Sequence, residues 1–528
     1  MIWLRILNPA ILAIYVAALF ALGLRFFRRQ RTTDRYFMAG RNVPGWLMGI
    51  SLLATIITSV TFIAYPGAAY EGNWGLLTPG MMILALPATL GLIVVPFFRH
   101  LVGMSAFEYF GMRFGPGVRM YCAATFAIGH LCKIAFVLYL LALTVNSMTG
   151  WSSLLMLAIT AMVGILYAFI GGFEAILWAD VIQGVLLWIG VLLAIGFLLY
   201  QTPARFSAVF QAAWQAHKFS LGSTAIDFRQ PTVVVLLIYG SFFYLQKYTA
   251  DQTVVQRYLA ARSDRQALRG ILLGALLCIP VWVLFMLAGT LLWGYYHFSR
   301  EPLPPFIARS DQVFPYFLSF HLPPGAGGLF LAALFGAGMA MLSSDLNCLA
   351  AVLVRDFYQH WRPAATDRQS LRMGRWLVLA NGILAFAGAW TLGHTHGTIL
   401  ALYYAATSIV AGGLAGLFLL AFLSRRATRH AAWMAIGSNL AFTFWATLTS
   451  GKHPLISCRI SFFWHEYMIG AVGQLLVVAI GWIASRWMKV PKDEPMTLWK
   501  WLRSSRQPHP PQAPLHPHLF QTHELEKL

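Results

Sequence analysis

Long apolar stretches alternate with short polar connections along most of the chain, from about residue 9 to residue 487. Stretches of this length are typical of helices that cross a lipid bilayer. The pattern predicts an all-α polytopic membrane protein with about thirteen transmembrane helices. The predicted spans are residues 9–26, 45–67, 79–98, 121–147, 153–170, 176–200, 232–255, 271–295, 328–354, 376–392, 398–423, 432–449 and 467–487.

The second span, GWLMGISLLATIITSVTFIAYPG, carries hydroxyl side chains through its middle: Ser51, Thr55, Thr58, Ser59 and Thr61. Hydroxyls at mid-membrane depth suit a helix that is interrupted there, with freed backbone groups and side-chain oxygens lining a cavity. The alternative is ordinary helix–helix packing through small and hydroxyl residues. A similar interruption is expected in the seventh span, around Gly240 and Ser241.

Composition and charge support a membrane protein. Only 11% of the residues are charged and 59% are hydrophobic, whereas soluble domains are near a quarter charged. The net charge of +20 comes from basic clusters between apolar spans, which indicates orientation by the positive-inside rule and no nucleic-acid partner. The clusters predict an N-terminus outside and a cytoplasmic C-terminus. The cluster after the seventh span is Arg257, Arg262, Arg265 and Arg269.

Several stretches, in order along the chain, resemble motifs of the solute:sodium symporter family. They are YFMAGRNVPGWLMGISLLAT (36–55), FIAYPGAAY (62–70), SAFEYFGMRFG (105–115), GGFEAILWADVIQG (171–184), ADQTVVQRYLAAR (250–262) and the pair Asn347 and Asp356. The resemblance implies a LeuT-type core of two inverted five-helix repeats, formed by spans 2–6 and 7–11. The first helix of each repeat would be discontinuous, with solute and ion bound near the midplane.

Four segments follow from this resemblance and the span pattern. Residues 1–35 would form an extra N-terminal helix and a basic cytoplasmic loop, and residues 36–430 the symporter core. Residues 431–488 would add two transmembrane helices. The tail, residues 489–528, is basic and rich in Pro and His, which predicts a disordered cytoplasmic segment.

The resemblance implies a cation-coupled secondary active transporter that imports a small polar, possibly anionic, organic solute by alternating access. Sodium or a proton would be the coupling ion, with no other cofactor. The protein would be a monomer among lipids in the plasma membrane, as in a bacterial inner membrane. A proton-coupled or sodium-independent transporter on the same fold, or a membrane solute sensor, is the alternative. We find no metal-binding cluster, nucleophile elbow or phosphate loop, so no enzyme is predicted.

In the family, a shared sodium site uses backbone carbonyls of the first core helix and two adjacent hydroxyls of the eighth. The carbonyls match Ala54 and Ile57. The hydroxyl pair would fall on Ala340 and Met341, which carry no hydroxyl. This departure puts coupling through the usual sodium site in doubt.

A second candidate cation site remains intact. Asp180 matches an aspartate of the family, and Ser343 and Ser344 match positions that join it in an additional sodium site in some members. A carboxylate at membrane depth costs about 2.5–3.5 kcal/mol on insertion scales, so it is usually retained for an ion, a proton or a partner. A structural hydrogen bond or an interfacial position is the alternative for Asp180.

Four residues are candidates for binding the solute. Lys133 lies deep in the fourth span, where a cation of several family members meets a substrate carboxylate. It could instead pair with an acid, replace the missing sodium or be structural. Lys247 matches a position that often holds an aromatic gate. Thr58 and Thr61 match substrate-side positions of the first broken helix, although hydroxyls also serve packing there.

Overall fold

The computed structural model describes residues 2–299, 301–305, 307, 309–323, 325–394, 413–450, 456, 461–489 and 495–504, and these form helices without a β-strand. The first helices are α1 Ile2–Phe27, α2 Thr33–Met38, α3 Gly45–Ile56, α4 Ser59–Glu71, α5 Leu77–Gly80, α6 Met82–Leu101 and α7 Glu108–Phe114. Next come α8 Pro116–Thr149, α9 Ser153–Gln201, α10 Phe206–Gln215, α11 Val233–Thr249, α12 Gln252–Leu259, α13 Asp264–Ser299 and α14 Ser310–His321. The last are α15 Ala326–Val352, α16 Gln359–Trp361, α17 Asp367–His394, α18 Leu414–Leu423, α19 Arg429–Thr449, α20 Tyr467–Trp487 and α21 Leu498–Ser504.

The second predicted span is broken where its hydroxyl-rich sequence predicted an interruption. The axes of α3 and α4 differ by 61°. The N–H of Thr58 donates to Oγ1 of Thr61 at 3.3 Å, and so it does not continue α3 by bonding to the carbonyl of Ala54. The break therefore releases the carbonyl of Ala54 from helical hydrogen bonding and points the chain in a new direction.

The seventh predicted span is continuous at Gly240 and Ser241, so the predicted interruption there is wrong. A Cβ atom at Gly240 would lie 2.6 Å from the backbone of Pro79, which shows that this glycine permits close packing of α11 on α5. The Ser241 hydroxyl donates to the carbonyl of Leu237 at 2.8 Å, a bond that helices accommodate.

The break in this span lies instead between Thr249 and Gln252, where α11 and α12 meet at an angle of 49°. Asp251 fixes it by capping α12, because its Oδ1 accepts a hydrogen bond from the N–H of Thr253 at 2.9 Å. An aspartate at an N-cap position is a common start signal for a helix. The second broken span therefore exists as predicted, but its break is set by a cap.

The connection between the predicted fifth and sixth spans, residues 171–175, is a kink within α9. Gly172 has φ +60° and ψ −173°, a conformation that residues with a side chain rarely adopt. A Cβ atom there would also lie 2.9 Å from the ring of Tyr36. The predicted fifth and sixth spans therefore form one run of 49 residues that is bent at this glycine.

Eight helices of the described residues are long and apolar enough to cross a membrane, or up to ten if each bent pair is one span. The predicted span at 398–423 lies outside the described residues up to 412, and α18 covers its last part. The total of thirteen spans therefore stays a prediction.

The centre of the fold is α15, whose residues are almost all buried and which packs along α9, α8, α1 and α3. The two broken spans also meet at their ends. Val43, just before α3, accepts a hydrogen bond from the N–H of Arg262 and donates to the carbonyl of Ala260, both at 3.1 Å. The start of the first broken span is thereby tied to the end of the second.

The tail prediction is wrong for one segment. Helix α21 packs on the bundle, with Nε1 of Trp499 donating to the carbonyl of Leu423 at 3.0 Å. The Trp501 ring contacts the Phe97 ring with centroids 5.7 Å apart. Disorder was predicted from composition, which does not register these two tryptophans. The rest of the predicted tail, residues 505–528, lies outside the described residues.

The packing of α13 on α4 should not tolerate a methyl group at Gly289. A Cβ atom there would lie 2.2 Å from the backbone oxygen of Pro66. We expect Gly289→Ala to lower the free energy of unfolding by about 1–3 kcal/mol, the usual cost of overpacking. Thermal unfolding of the purified protein in detergent measures this change.

Gly196→Ala is the matched control, since a Cβ atom at Gly196 has no neighbour within 4 Å. Alanine is favoured over glycine in a helix by up to about 1 kcal/mol, so this variant should be unchanged or more stable. Equal melting temperatures for the two variants would contradict the close approach of α13 and α4.

Candidate functional site

A cavity of about 400 Å³ lies at the break between α3 and α4. All four predicted solute-binding residues line it: Thr58, Thr61, Lys133 and Lys247. They come from the first broken span, from α8 and from α11. The structure therefore brings these separate candidates into one cavity of the size that small-molecule sites usually have.

Aromatic side chains form much of the remaining wall. Tyr65 stacks on Trp282 with ring centroids 6.1 Å apart, and Tyr239 stacks on Tyr467 at 4.9 Å. All four line the cavity. Tyr467 begins α20, outside the predicted symporter core, and the sequence did not single out any of these aromatic residues. Their flat apolar faces and hydroxyl groups suit a ring-shaped solute that carries polar groups.

Both threonines at the break have a structural contact as well as access to the cavity. Oγ1 of Thr61 accepts the hydrogen bond from the N–H of Thr58, which closes the first turn of α4. Thr61 is 7% exposed. The threonines therefore shape the break itself, and any solute contact would be made by groups that the break already positions.

Each lysine at the cavity pairs with a buried aspartate behind it. Nζ of Lys133 is 3.1 Å from Oδ2 of Asp345, and Nζ of Lys247 is 2.5 Å from Oδ2 of Asp251. The lysine side chains are 33% and 22% exposed, against 0% and 8% for the two aspartates. Lys133 therefore pairs with an acid, which was one of the alternatives for this residue. Its side chain also reaches the cavity.

Sequence reasoning missed both carboxylates. Asp345 follows directly after Ser344, and Asp251 lies within the motif at residues 250–262, so each was in or beside a stretch already singled out. A signal was available, because each aspartate lies within a predicted membrane span. Acids in such spans are rare and usually have a partner.

Asp180 pairs with a cation of the protein itself. Its Oδ2 lies 3.1 Å from Nη2 of Arg257, and both side chains are 0% exposed. The hydroxyl of Ser51 donates to the same oxygen. The assignment of Arg257 to a solvent-facing basic cluster is therefore wrong: it follows an apolar run in sequence, but α12 turns it into the protein interior.

Arg257 also binds three further side chains of the site. Its Nε donates to Oγ of Ser51 at 2.9 Å, and its Nη2 donates to the hydroxyl of Thr55 on α3. The same nitrogen donates to Oγ of Ser344 on α15 at 2.9 Å. The guanidinium thus joins the second broken span to the first, to α9 and to α15.

The candidate cation ligands lie around this arginine. Ser344 and Asp180 both contact it, whereas the Ser343 hydroxyl donates to the carbonyl of Met339 at 2.9 Å. A cation bound by Asp180, Ser343 and Ser344 would share these oxygens with the guanidinium. No described contact tests that role, so it stays a prediction.

The shared sodium site has part of its expected ligands. Ala54 and Ile57 lie at the end of α3, where the break leaves backbone carbonyls without a helical N–H donor. Ala340 and Met341 are fully buried on α15, which packs against α3 and α4. Their side chains supply no oxygen, so this wall offers a sodium ion fewer ligands than two hydroxyls would.

The comparisons with known proteins agree with this architecture. The model of the sodium:solute symporter family matches residues 36–437. The sodium/sialic acid symporter NanT of Aliivibrio fischeri is 31% identical over 92% of this chain and 94% of its own length. The sodium/sialic acid symporter SiaT of Proteus mirabilis is 29% identical over 84% of this chain and 92% of its own.

Solved structures show the same fold. A Na+-coupled sialic acid symporter in a substrate-bound, outward-open state superposes with a TM-score of 0.83 at 28% identity, covering 92% of this chain and 99% of that one. A nucleobase-cation-symport-1 family transporter has a TM-score of 0.54 at 15% identity, covering 87% and 95%. The fold is therefore the predicted LeuT type, with two discontinuous helices.

Restoring hydroxyls at Ala340 and Met341 should strengthen sodium binding. The double variant Ala340→Ser/Met341→Ser adds two oxygens to α15, which packs against both halves of the first broken span. We expect its sodium affinity to rise by about tenfold, equivalent to about 1.4 kcal/mol. Sodium titration of the purified protein by calorimetry measures the change.

Ala350→Ser/Ala351→Ser is the matched control, because it adds two hydroxyls to the same buried helix beyond Ser344. Its sodium affinity should equal that of the unmodified chain. If both double variants bind sodium as the unmodified chain does, the missing hydroxyls do not limit sodium binding.

Proposed function

Because the chain belongs to the sodium:solute symporter family and is a cation-coupled secondary transporter, we propose that it imports an acidic sugar of the sialic acid class together with sodium. It is a transporter and not an enzyme. The solute would bind in the cavity at the two helix breaks, and alternating access would expose that cavity to each side of the membrane in turn.

The observation that carries the proposal is the combination of lysines and aromatic rings in one cavity. Lys133 and Lys247 reach its wall from two helices, and Tyr65, Tyr239 and Trp282 line it. A carboxylate would be attracted to the ammonium groups, and a sugar ring would lie against aromatic faces while its hydroxyls bind nearby oxygens. A neutral, wholly apolar solute would make no favourable electrostatic interaction with the ammonium groups in the cavity.

The names of the relatives favour the same solute class. The symporters of Aliivibrio fischeri and Proteus mirabilis are both sodium/sialic acid symporters, and the solved structure with the TM-score of 0.83 is of a sialic acid symporter. The chain covers more than nine-tenths of each of these relatives, so the comparison concerns the whole transport unit.

Sodium would be held in two places. We propose the carbonyls of Ala54 and Ile57 as one set of ligands and Asp180, Ser343 and Ser344 as the other. The first set lies at a helix break, where carbonyls are available to a cation. In the second set, Arg257 already neutralises the carboxylate, so a bound sodium ion would have to share Asp180 or displace the guanidinium.

The remaining predictions about the protein's setting belong to the same proposal. The functional unit would be a monomer surrounded by lipid in a bacterial inner membrane. The basic clusters favour an N-terminus outside and a C-terminus in the cytoplasm. Residues 1–35 and 431–488 would flank the symporter core of residues 36–430, and α20 would contribute Tyr467 to its cavity.

Uptake by proteoliposomes tests the proposal. The purified chain should accumulate sialic acid when a sodium gradient is imposed, and uptake should fall when the gradient is removed. The variant Lys133→Gln should reduce the apparent affinity for sialic acid by at least about tenfold, since hydrogen bonds to a charged group contribute about 1.5–3 kcal/mol. The methyl ester of sialic acid should not distinguish the variant from the unmodified chain.

Lys133→Arg is the control variant, because it keeps a cation beside Asp345 and in the cavity. It should retain more uptake than Lys133→Gln. No sodium-driven sialic acid uptake by the unmodified chain would reject this solute, and equal affinity in the unmodified chain and Lys133→Gln would reject the role of Lys133.

A further inference from the structure

His130 lies between the two buried carboxylates that hold the cavity lysines. Its Nδ1 is 3.2 Å from Oδ2 of Asp345, and its Nε2 is 3.5 Å from Oδ2 of Asp251. The residue is 8% exposed, and its ring packs on Phe126 with centroids 4.0 Å apart. Both ring nitrogens therefore lie beside a carboxylate, and only a protonated imidazole carries an N–H on each of them. Nδ1 is within ion-pair distance of Asp345 without a hydrogen bond of good geometry.

These side chains form one network, which we call the charge network: His130, Lys133, Lys247, Asp251 and Asp345. The network joins α8, α15 and the break between α11 and α12. Asp251 is further fixed by the Thr253 N–H, whereas neither carboxylate oxygen of Asp345 has a hydrogen bond of good geometry among the described residues. The lysines face the cavity, and His130 connects the acids behind them.

The formal charge of the network depends on His130. Two lysines and two aspartates sum to zero when the imidazole is neutral, and to +1 when it is protonated. A solute carboxylate at the lysines would change these totals to −1 and zero. Because uncompensated charge is costly in a buried site, the carboxylate should bind best when the imidazole is protonated.

Several other ionisable groups on the elements around α8 have partners of their own. These are Glu108 with Arg355, Arg119 with Asp356, Asp180 with Arg257, Glu71 with Ser310, Asp311 with Arg309, Arg375 with the Gln30 carbonyl, and Cys348 with Gln256. None of these contacts includes His130. Within the described residues, the imidazole is therefore the group of the charge network suited to change its charge near neutral pH.

We propose that His130 is a proton-binding site coupled to the solute: one proton from the solvent binds its imidazole when a carboxylate binds at Lys133 and Lys247. No covalent bond of the solute changes. This inference rests on the proposed acidic solute, and it adds a proton to the sodium coupling of the family. By linkage, protonation of His130 and carboxylate binding favour each other equally.

The affinity for the solute carboxylate should change with pH in one direction. The protonated imidazole favours the anion, so affinity is highest at low pH and falls as pH rises through the titration of His130. For one linked proton, Kd should rise by up to about tenfold per pH unit. The effect should disappear for a solute without a carboxylate.

Calorimetric titration of the purified full-length protein with sialic acid tests the inference. At fixed sodium, Kd is measured from about pH 5.5 to 8.5, the range in which histidine usually titrates. Repeating each titration in buffers of different ionisation enthalpy counts the protons taken up. We expect up to one proton per solute and a Kd that rises with pH.

His130→Gln should abolish both the proton uptake and the pH dependence, because its amide does not titrate. His321→Gln is the matched control, since His321 pairs with Glu301 outside the charge network. It should behave like the unmodified chain, and the methyl ester of sialic acid should show no pH dependence with either protein.

The outcomes separate this inference from the proposed function. Binding of sialic acid with the same Kd at every pH and no proton uptake would overturn the role of His130 but keep the solute. Proton uptake that persists in His130→Gln would overturn it as well. Absence of binding at every pH would overturn both. The proton count on the unmodified chain needs no variant, so it decides the question even if His130→Gln does not fold.

Discussion

The guanidinium of Arg257 is the buried group that joins the second broken span to the first, to α9 and to α15. It leaves α12, reaches Ser51 and Thr55 on α3, and pairs with Asp180 on α9 and Ser344 on α15. An arginine at this depth is costly unless its donors are paired, and the hydroxyl-rich face of the first broken span provides that pairing. The hydroxyl groups of the first broken span are therefore also the hydrogen-bond acceptors of the buried arginine of the second.

The same constraint explains the cavity. Breaking a span releases carbonyls, and placing lysines near the breaks requires acids to balance them. Asp251 meets both demands, since it caps α12 and holds Lys247. Asp345 holds Lys133 from the central helix. A solute carboxylate would enter a site in which the charges already balance, so its binding has to redistribute ion pairs. Under the proposals above, that requirement would link solute recognition to the binding of protons and cations.

The sequence predicted those features that local chemistry determines. The hydroxyls of the second span identified its break, and the six motifs identified the family and the LeuT-type fold. Features that depend on contacts between distant segments were missed. Gly240 resembled a helix break, although it serves packing against Pro79. Arg257 resembled a loop charge, because nothing near it in sequence reveals that Asp180 is its partner. For the same reason Lys133 was identified without its acid. Pairing within a membrane is a property of the folded bundle.

The double-mutant cycle of Asp180→Asn and Arg257→Gln tests the central claim most directly, with thermal unfolding of each purified variant as the measurement. Removing Arg257 alone leaves a buried carboxylate without its cation, which typically costs about 3–5 kcal/mol. We therefore predict that the double variant loses much less stability than the sum of the two single losses, by at least about 1 kcal/mol. Additive losses would contradict the account, because they would mean that Arg257 and Asp180 do not stabilise each other and that the arginine does not join α12 to α9.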